Sequence, residues 1–221
     1  TAPQILAISP ENIDKAATHL RSGGLVAFPT ETVYGLGANA YDGVAVARIF
    51  AAKGRPGFNP LISHGASLEM LRGEAIFDSR ALSLADKFWP GPLTMILPRA
   101  AGCRISDLAS AGLSTVALRV PAHKVARALI ESAGVPIAAP SANASGQLSP
   151  TAPHHVIESL GQNVDIILAG GATEYGLEST VVDVSGPDTV IVRAGAITAE
   201  DIQDVLECPV RYELDATDKP R

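Results

Sequence analysis

A chain of 221 residues with 47% apolar and 18% charged side chains can bury a substantial core, which excludes a disordered or low-complexity protein. Its net charge of −6 argues against broad, non-specific nucleic-acid binding but leaves room for a small basic pocket around one anionic ligand. Cys103 and Cys208 stand far apart and outside any CxxC pair, so neither a zinc site nor a disulfide framework is expected, and two unpaired thiols suit a reducing cytoplasm.

In chain order, Ile13, Ala16, Ala17 and Leu20 recur at helical spacing behind Ser9 and Pro10, a cap and a first-turn proline, with Gly23 to end the helix. A strand "LVAF" (25–28), a helix near 43–52 and a short strand "LIS" (61–63) follow. Helices are expected over 66–72 and 79–88, then strands "TMIL" (94–97) and "TVALRV" (115–120), a helix 124–133 and a strand "IAA" (137–139). A helix near 154–160, strands at 165–169, 179–184 and 189–194, and a helix 199–206 complete the pattern. Helices alternating with apolar strands predict an α/β domain with an open, twisted mixed sheet over residues 1–207. Residues 208–221 are polar and aperiodic and read as a tail or the start of a linker. No apolar run approaches the roughly 20 residues of a membrane span, and the N-terminus "TAPQILAISPEN" has no signal-peptide pattern, so a cytoplasmic protein without membrane contact is expected.

"GLGANA" (35–40) fits the dinucleotide fingerprint on paper, but "PTETVY" separates its glycines from the preceding strand and no suitable acid follows, so that reading is set aside. In "PTETVYGLG" (29–37), Thr30 and Thr32 share one face if the chain is extended. They serve either as backbone caps or as the polar floor of a pocket. In "KGRPGFNPLISH" (53–64), Lys53 and Arg55 sit at the expected end of a helix, where cations complement the dipole. Pro56 and Pro60 stiffen the loop that follows, and a lysine beside a planar arginine suits polyphosphate. The loop "APSANASGQLSPT" (139–151) follows an apolar strand with hydroxyls and an amide suited to ribose, phosphate or hydrated magnesium. Arg119 and Arg193 lie among apolar strand residues. A buried arginine needs a partner, for which an anionic ligand is a good choice, whereas strand ends at the surface would explain both without one.

"PTETVYGLG", "KGRPGFNPL", "WPGPLT", "LRVP", "APSANASGQLSPT", "GLESTVVD" and "VIVRAG" occur in one order, and this order resembles the YrdC/YciO-like family, more closely its threonylcarbamoyl-AMP synthases, over about residues 5–207. The resemblance implies an open, twisted α/β sheet with flanking helices and a large, positively lined concave face. It implies a nucleotidyltransferase reaction in which L-threonine, bicarbonate or CO2, and ATP with Mg2+ give threonylcarbamoyl-AMP and pyrophosphate. The product serves other proteins that modify the adenosine beside the anticodon of tRNAs reading ANN codons, with a weak tRNA contact of this chain left open. By the same resemblance Lys53 and Arg55 are catalytic; these two with Asn59, Thr115, Ser141, Asn143, Ser149 and Arg193 bind ATP. Threonine would meet Thr32, His64, Arg119, the backbone at Ala139, and Ser179. No protein metal ligand is expected, and no general base is evident beyond His64. Some relatives carry a linker and a second domain after this one. The alternatives are an RNA-binding module of the same fold, weakened by the acidic charge and lack of interleaved aromatics, and a carbamoyl-transfer domain.

Overall fold

The computed structural model describes residues 1–54 and 59–213. In chain order the elements are β1 (Gln4–Ala7), α1 (Pro10–Arg21), β2 (Val26–Pro29), β3 (Tyr34–Asn39), α2 (Gly43–Lys53), β4 (Ile62–His64), α3 (Leu68–Leu71), α4 (Ser79–Phe88), β5 (Leu93–Pro98) and β6 (Thr115–Arg119). There follow α5 (Lys124–Ala133), β7 (Ile137–Ala138), α6 (Pro153–Leu160), a 3-10 turn (Gly161–Asn163), β8 (Ile166–Ala169), β9 (Thr180–Asp183), β10 (Thr189–Arg193), α7 (Ala199–Leu206) and β11 (Val210–Tyr212).

Local chemistry sets the helix ends. Ser9 accepts from the Asn12 N–H ahead of α1, Asp42 caps α2, and Gly54, at φ 61°, closes α2 in the left-handed conformation that glycine tolerates best. Thr198 and Asp201 form a reciprocal capping box on α7.

The strands join in one mixed sheet of order β1-β8-β2-β3-β7-β4-β6-β5-β9-β10-β11 among the described residues. Its two faces sort by the period-2 alternation of strands. Val26 and Phe28 of β2, with Ile166 and Leu168 of β8, pack under α1 and α5. Ala27 and Ile167 turn to the opposite face, beneath α2, α4 and α7. On α5, Ala126, Leu129, Ile130 and Ala133 are all buried, and each large apolar chain so covered contributes about 1.5–3 kcal/mol. α1 and α5 cover this face toward the β1 side, and farther along the sheet Ile62 of β4, Ala117 of β6, Ile96 of β5 and Val181 of β9 line a cavity.

Three strands differ from expectation. "GLGANA" lies within β3 and the turn that follows it, so Gly35 and Gly37 are strand residues, not the opening of a helix. A Cβ on Gly37 would come 2.8 Å from both Phe28 Cε1 and Ile137 Cγ2; the glycine makes room for the phenylalanine ring on the neighbouring strand. β1 pairs in parallel with β8. β11 lies in the stretch read as a polar tail and pairs in parallel with β10, because an edge strand needs only ladder hydrogen bonds and not an apolar pattern. No helix among the described residues is long and apolar enough to cross a membrane.

Candidate active site

The turn between β2 and β3 sets the floor of the site. Thr30 Oγ1 accepts from the N–H groups of Thr32 (3.2 Å) and Val33 (3.2 Å), and lies 2.8 Å from Thr32 Oγ1. The two hydroxyls meet as expected from the sequence, but through a tight turn and not an extended strand. Thr32 Oγ1 accepts from Arg119 Nη1 at 3.0 Å.

Arg119 ends β6 and is 3% exposed. Its Nε donates to the Gly91 carbonyl (3.1 Å) and its Nη2 to the Glu31 carboxylate. The other Glu31 oxygen accepts from the Ala122 N–H at 2.6 Å. The buried cation therefore has a resident carboxylate as partner, which corrects the surface-end alternative for Arg119 and adds a protein partner to the anionic ligand suggested by the sequence. Burial pulls the guanidinium below its usual value and Glu31 opposes that pull; an arginine remains protonated throughout. A guanidinium carries five N–H donors, and three are engaged in these bonds. One donor on each terminal nitrogen remains for a further acceptor.

His64 faces the same space from β4, in register with Arg119. Its Nδ1 lies 3.3 Å from the Ile137 carbonyl. Burial, with the Arg119 cation second, lowers its pKa to about 3, so the imidazole is neutral near pH 7. Ser179, just ahead of β9, lies 2.8 Å from Thr94 Oγ1 and accepts from Arg193 Nη2 at 3.0 Å. Arg193 Nη1 also meets Glu178 at 3.2 Å.

These groups surround a cavity of about 300 Å³ on this face of the sheet. Thr32, His64, Arg119, Ala139, Ser179, Ser141 and Arg193 all line it, with Ile62, Ile96, Ala117 and Val181 as its apolar wall. A larger cleft of about 1040 Å³ adjoins it, and Glu178 and Arg193 line both spaces. Ser149 lies in this outer cleft and donates to Glu178 at 3.4 Å.

The loop after β7 is held from behind. Lys53, 4% exposed, sends its ammonium to the carbonyls of Ser141 and Asn143, both at 2.5 Å, and its own carbonyl accepts from the Ser145 N–H at 2.9 Å. Asn143, 5% exposed, closes the loop by donating to the carbonyls of Ala144 and Gln147, each at 2.9 Å. Lys53 thus acts on loop geometry in this structure, beyond the simple cation that its sequence position suggests. Thr115 opens β6 on the Arg119 face, farther along the row than Ala117. Asn59 is exposed ahead of β4, and Arg55 lies outside the described residues. No cluster of three or more His, Cys, Asp or Glu able to hold a metal occurs among the described residues.

Glu31 and Glu178 are the residues missed by inspection of the sequence as candidate site members. Glu31 is the one acid in the hydroxyl-rich motif "PTETVYGLG", Glu178 directly precedes the hydroxyl pair in "GLESTVVD", and two strand arginines needed counter-charges. An acid beside hydroxyls, set against strand arginines that lack a counter-charge, is the signal by which they can be found.

A family model for Sua5, YciO and YrdC proteins, described as telomere recombination, matches residues 18–195. The chain is 52% identical over 192 residues to a threonylcarbamoyl-AMP synthase of Pyrococcus abyssi, a match covering 86% of this chain and 56% of that protein. It is 46% identical over 220 residues to a threonylcarbamoyl-AMP synthase of Bacillus subtilis, covering 97% of this chain and 62% of that one. The crystal structure of P. abyssi Sua5 complexed with L-threonine superposes with a TM-score of 0.92 at 46% identity, covering 100% of this chain and 65% of that chain. The chain therefore spans less than two thirds of the length of these relatives.

Proposed function

The chain belongs to the Sua5, YciO and YrdC family, and from that premise we propose that it joins L-threonine, bicarbonate and ATP into threonylcarbamoyl-AMP and pyrophosphate. The observation that carries this reading is Arg119, buried at the floor of a 300 Å³ cavity with two N–H donors still directed to no described partner. That cavity is sized for one small amino acid, and the cleft beyond the Glu178–Arg193 wall is large enough for a nucleotide. A related protein of this fold is known with L-threonine bound.

In this scheme Arg119 takes the amino-acid carboxylate, and Thr32 and Ser179 hydrogen-bond the substrate hydroxyl, which rejects analogues lacking it more sharply than an apolar wall would. The threonine amine and bicarbonate give a carbamate and water. A carbamate oxygen then bonds to the α-phosphorus as the bond to the bridging oxygen breaks, and pyrophosphate leaves. Arg193 reaches the junction of the two spaces and stabilises the charge that develops there, a role that the family resemblance extends to Arg55. Lys53 holds the carbonyls of Ser141 and Asn143 so that the loop meets the nucleotide in one shape. His64, with a pKa near 3, is a weak base and serves as a neutral hydrogen-bonding group. Magnesium would arrive with the ATP phosphates to neutralise their charge, and the hydroxyls of Ser149, Thr151 and Ser159 with the Glu158 and Glu178 carboxylates give the outer cleft the oxygen donors that suit it. The adenylate then passes, in the cytoplasm, to the proteins that modify tRNA.

Pyrophosphate release in the presence of ATP, magnesium, bicarbonate and each amino acid in turn tests the proposal. Release that requires both threonine and bicarbonate is expected. No release together with salt-sensitive binding of duplex RNA would replace it with an RNA module, and turnover of carbamoyl phosphate would replace it with a carbamoyl transferase.

A further inference from the structure

The carboxylate-receiving end of the inner cavity already contains a carboxylate. Glu31 and Arg119 form an ion pair with 4% of each side chain exposed, and both Glu31 oxygens are engaged, one by Arg119 and one by the Ala122 N–H. The guanidinium is therefore locally neutralised before any ligand enters. The other charged groups nearby do not undo this. Arg193 is paired with Glu178, and the Lys53 ammonium lies behind the loop on the carbonyls of Ser141 and Asn143.

A ligand that offers only a carboxylate would place a second buried anion on a cation that already has one. Two carboxylates on one guanidinium repel across a few ångströms, in a place where water does not screen them. A ligand with an ammonium beside its carboxylate brings its own compensation. Resting on the reading of this cavity as an amino-acid site, we propose that Glu31 is a charge-setting residue that acts through Arg119 and makes the cavity accept zwitterionic amino acids and reject simple carboxylates of the same shape. Glu31 thereby adds discrimination by charge to the discrimination by hydroxyl that Thr32 and Ser179 provide. It works as a built-in unfavourable contact for the wrong ligand, the usual way in which specificity exceeds affinity.

The test is calorimetric and needs no ATP. L-Threonine and (R)-3-hydroxybutyrate, which is threonine without its amine, are titrated into the wild-type chain and into Glu31→Gln. The glutamine keeps an oxygen for Arg119 and removes the charge. The wild type is expected to favour threonine, and in Glu31→Gln the ratio of the two affinities is expected to move toward the hydroxy acid by about a hundred- to a thousandfold, the size of one charge about 4–6 Å away at an effective dielectric near 20. A purely structural role for Glu31 would weaken both ligands together and leave the ratio in place. An unchanged ratio in the folded variant overturns the proposal, as does a wild type that binds both ligands alike. If the wild type binds no threonine, the amino-acid reading of the cavity itself fails and the proposal falls with it. Should Glu31→Gln fail to fold alone, refolding in the presence of each ligand decides: rescue by the hydroxy acid at concentrations near those at which threonine rescues supports the proposal, and rescue by threonine alone or by neither overturns it.

Discussion

Replacing His64 by asparagine should flatten the acid side of the stability curve. In the unfolded chain the imidazole takes up a proton as pH falls below about 6.5, whereas in the folded protein it stays neutral down to about 3. A depressed folded value means that stability is complete above pH 6.5 and is lost progressively as pH falls toward 3, because the unfolded state binds the extra proton throughout that window. At pH 5 the unfolded histidine is about 1.5 units into its titration, and at about 1.36 kcal/mol per unit the loss is about 2 kcal/mol. That figure depends on the unfolded value alone so long as the folded value stays below about 4. His64→Asn keeps an N–H for the Ile137 carbonyl and removes the titration. The variant should be less stable than the wild type at every pH, from lost packing, while losing about 2 kcal/mol less between pH 7 and pH 5. Urea midpoints at pH 7, 6 and 5, with the slope m constant, measure this directly. His123, whose value burial also lowers, is common to both proteins and cancels in the comparison. Parallel curves for the two proteins would refute the account of a neutral, buried imidazole.

Arg119→Ala should raise the threonine KM at least tenfold and leave ATP binding nearly unchanged, as calorimetry with each substrate would show; an equal loss of both would dissolve the division into inner cavity and outer cleft. Lys53→Met removes an ammonium that holds two carbonyls at 2.5 Å and should cost about 1–3 kcal/mol, with faster hydrogen exchange at the Ser145 amide that bonds to the Lys53 carbonyl. Gly37→Ala would press a methyl to 2.8 Å from Phe28 and Ile137 and should destabilise by about 1–3 kcal/mol in urea titration, and a neutral result would mean that the ring moves freely.

The helices were legible because amphipathic spacing and caps reinforce one another. α5 begins at Lys124 and ends at Ala133 as its periodicity indicates, with Gly134 at φ 70° after it. β3 was not legible. Its glycines and its following turn carry a loop-like composition, and only the Phe28 ring lying over Gly37 explains why a strand needs glycine there. β11 escaped because an exposed edge strand leaves no apolar trace. At the site, hydroxyls, amides and cations were recognised from their motifs, while the acids were overlooked. Glu31 and Glu178 drew no reading from the sequence, and the fold places Glu31 beside Arg119 of β6 and Glu178 beside Arg193 of β10. Such pairings join positions 88 and 15 residues apart, so the motif marks each acid while only the fold identifies its arginine.

The inner cavity takes its walls from the β2–β3 turn, from β4, from β6, from the end of β7 and from β9 with β10. No contiguous stretch of the chain can assemble it, so the cavity exists only where most of the sheet is already in register. A molecule bound there holds the tertiary structure as a whole, and its binding free energy adds to the unfolding free energy by RT ln(1 + [L]/Kd), about 2.7 kcal/mol at a hundredfold excess over Kd. The supply of the small molecule is thereby felt as resistance to heat and proteolysis across every strand that contributes a wall.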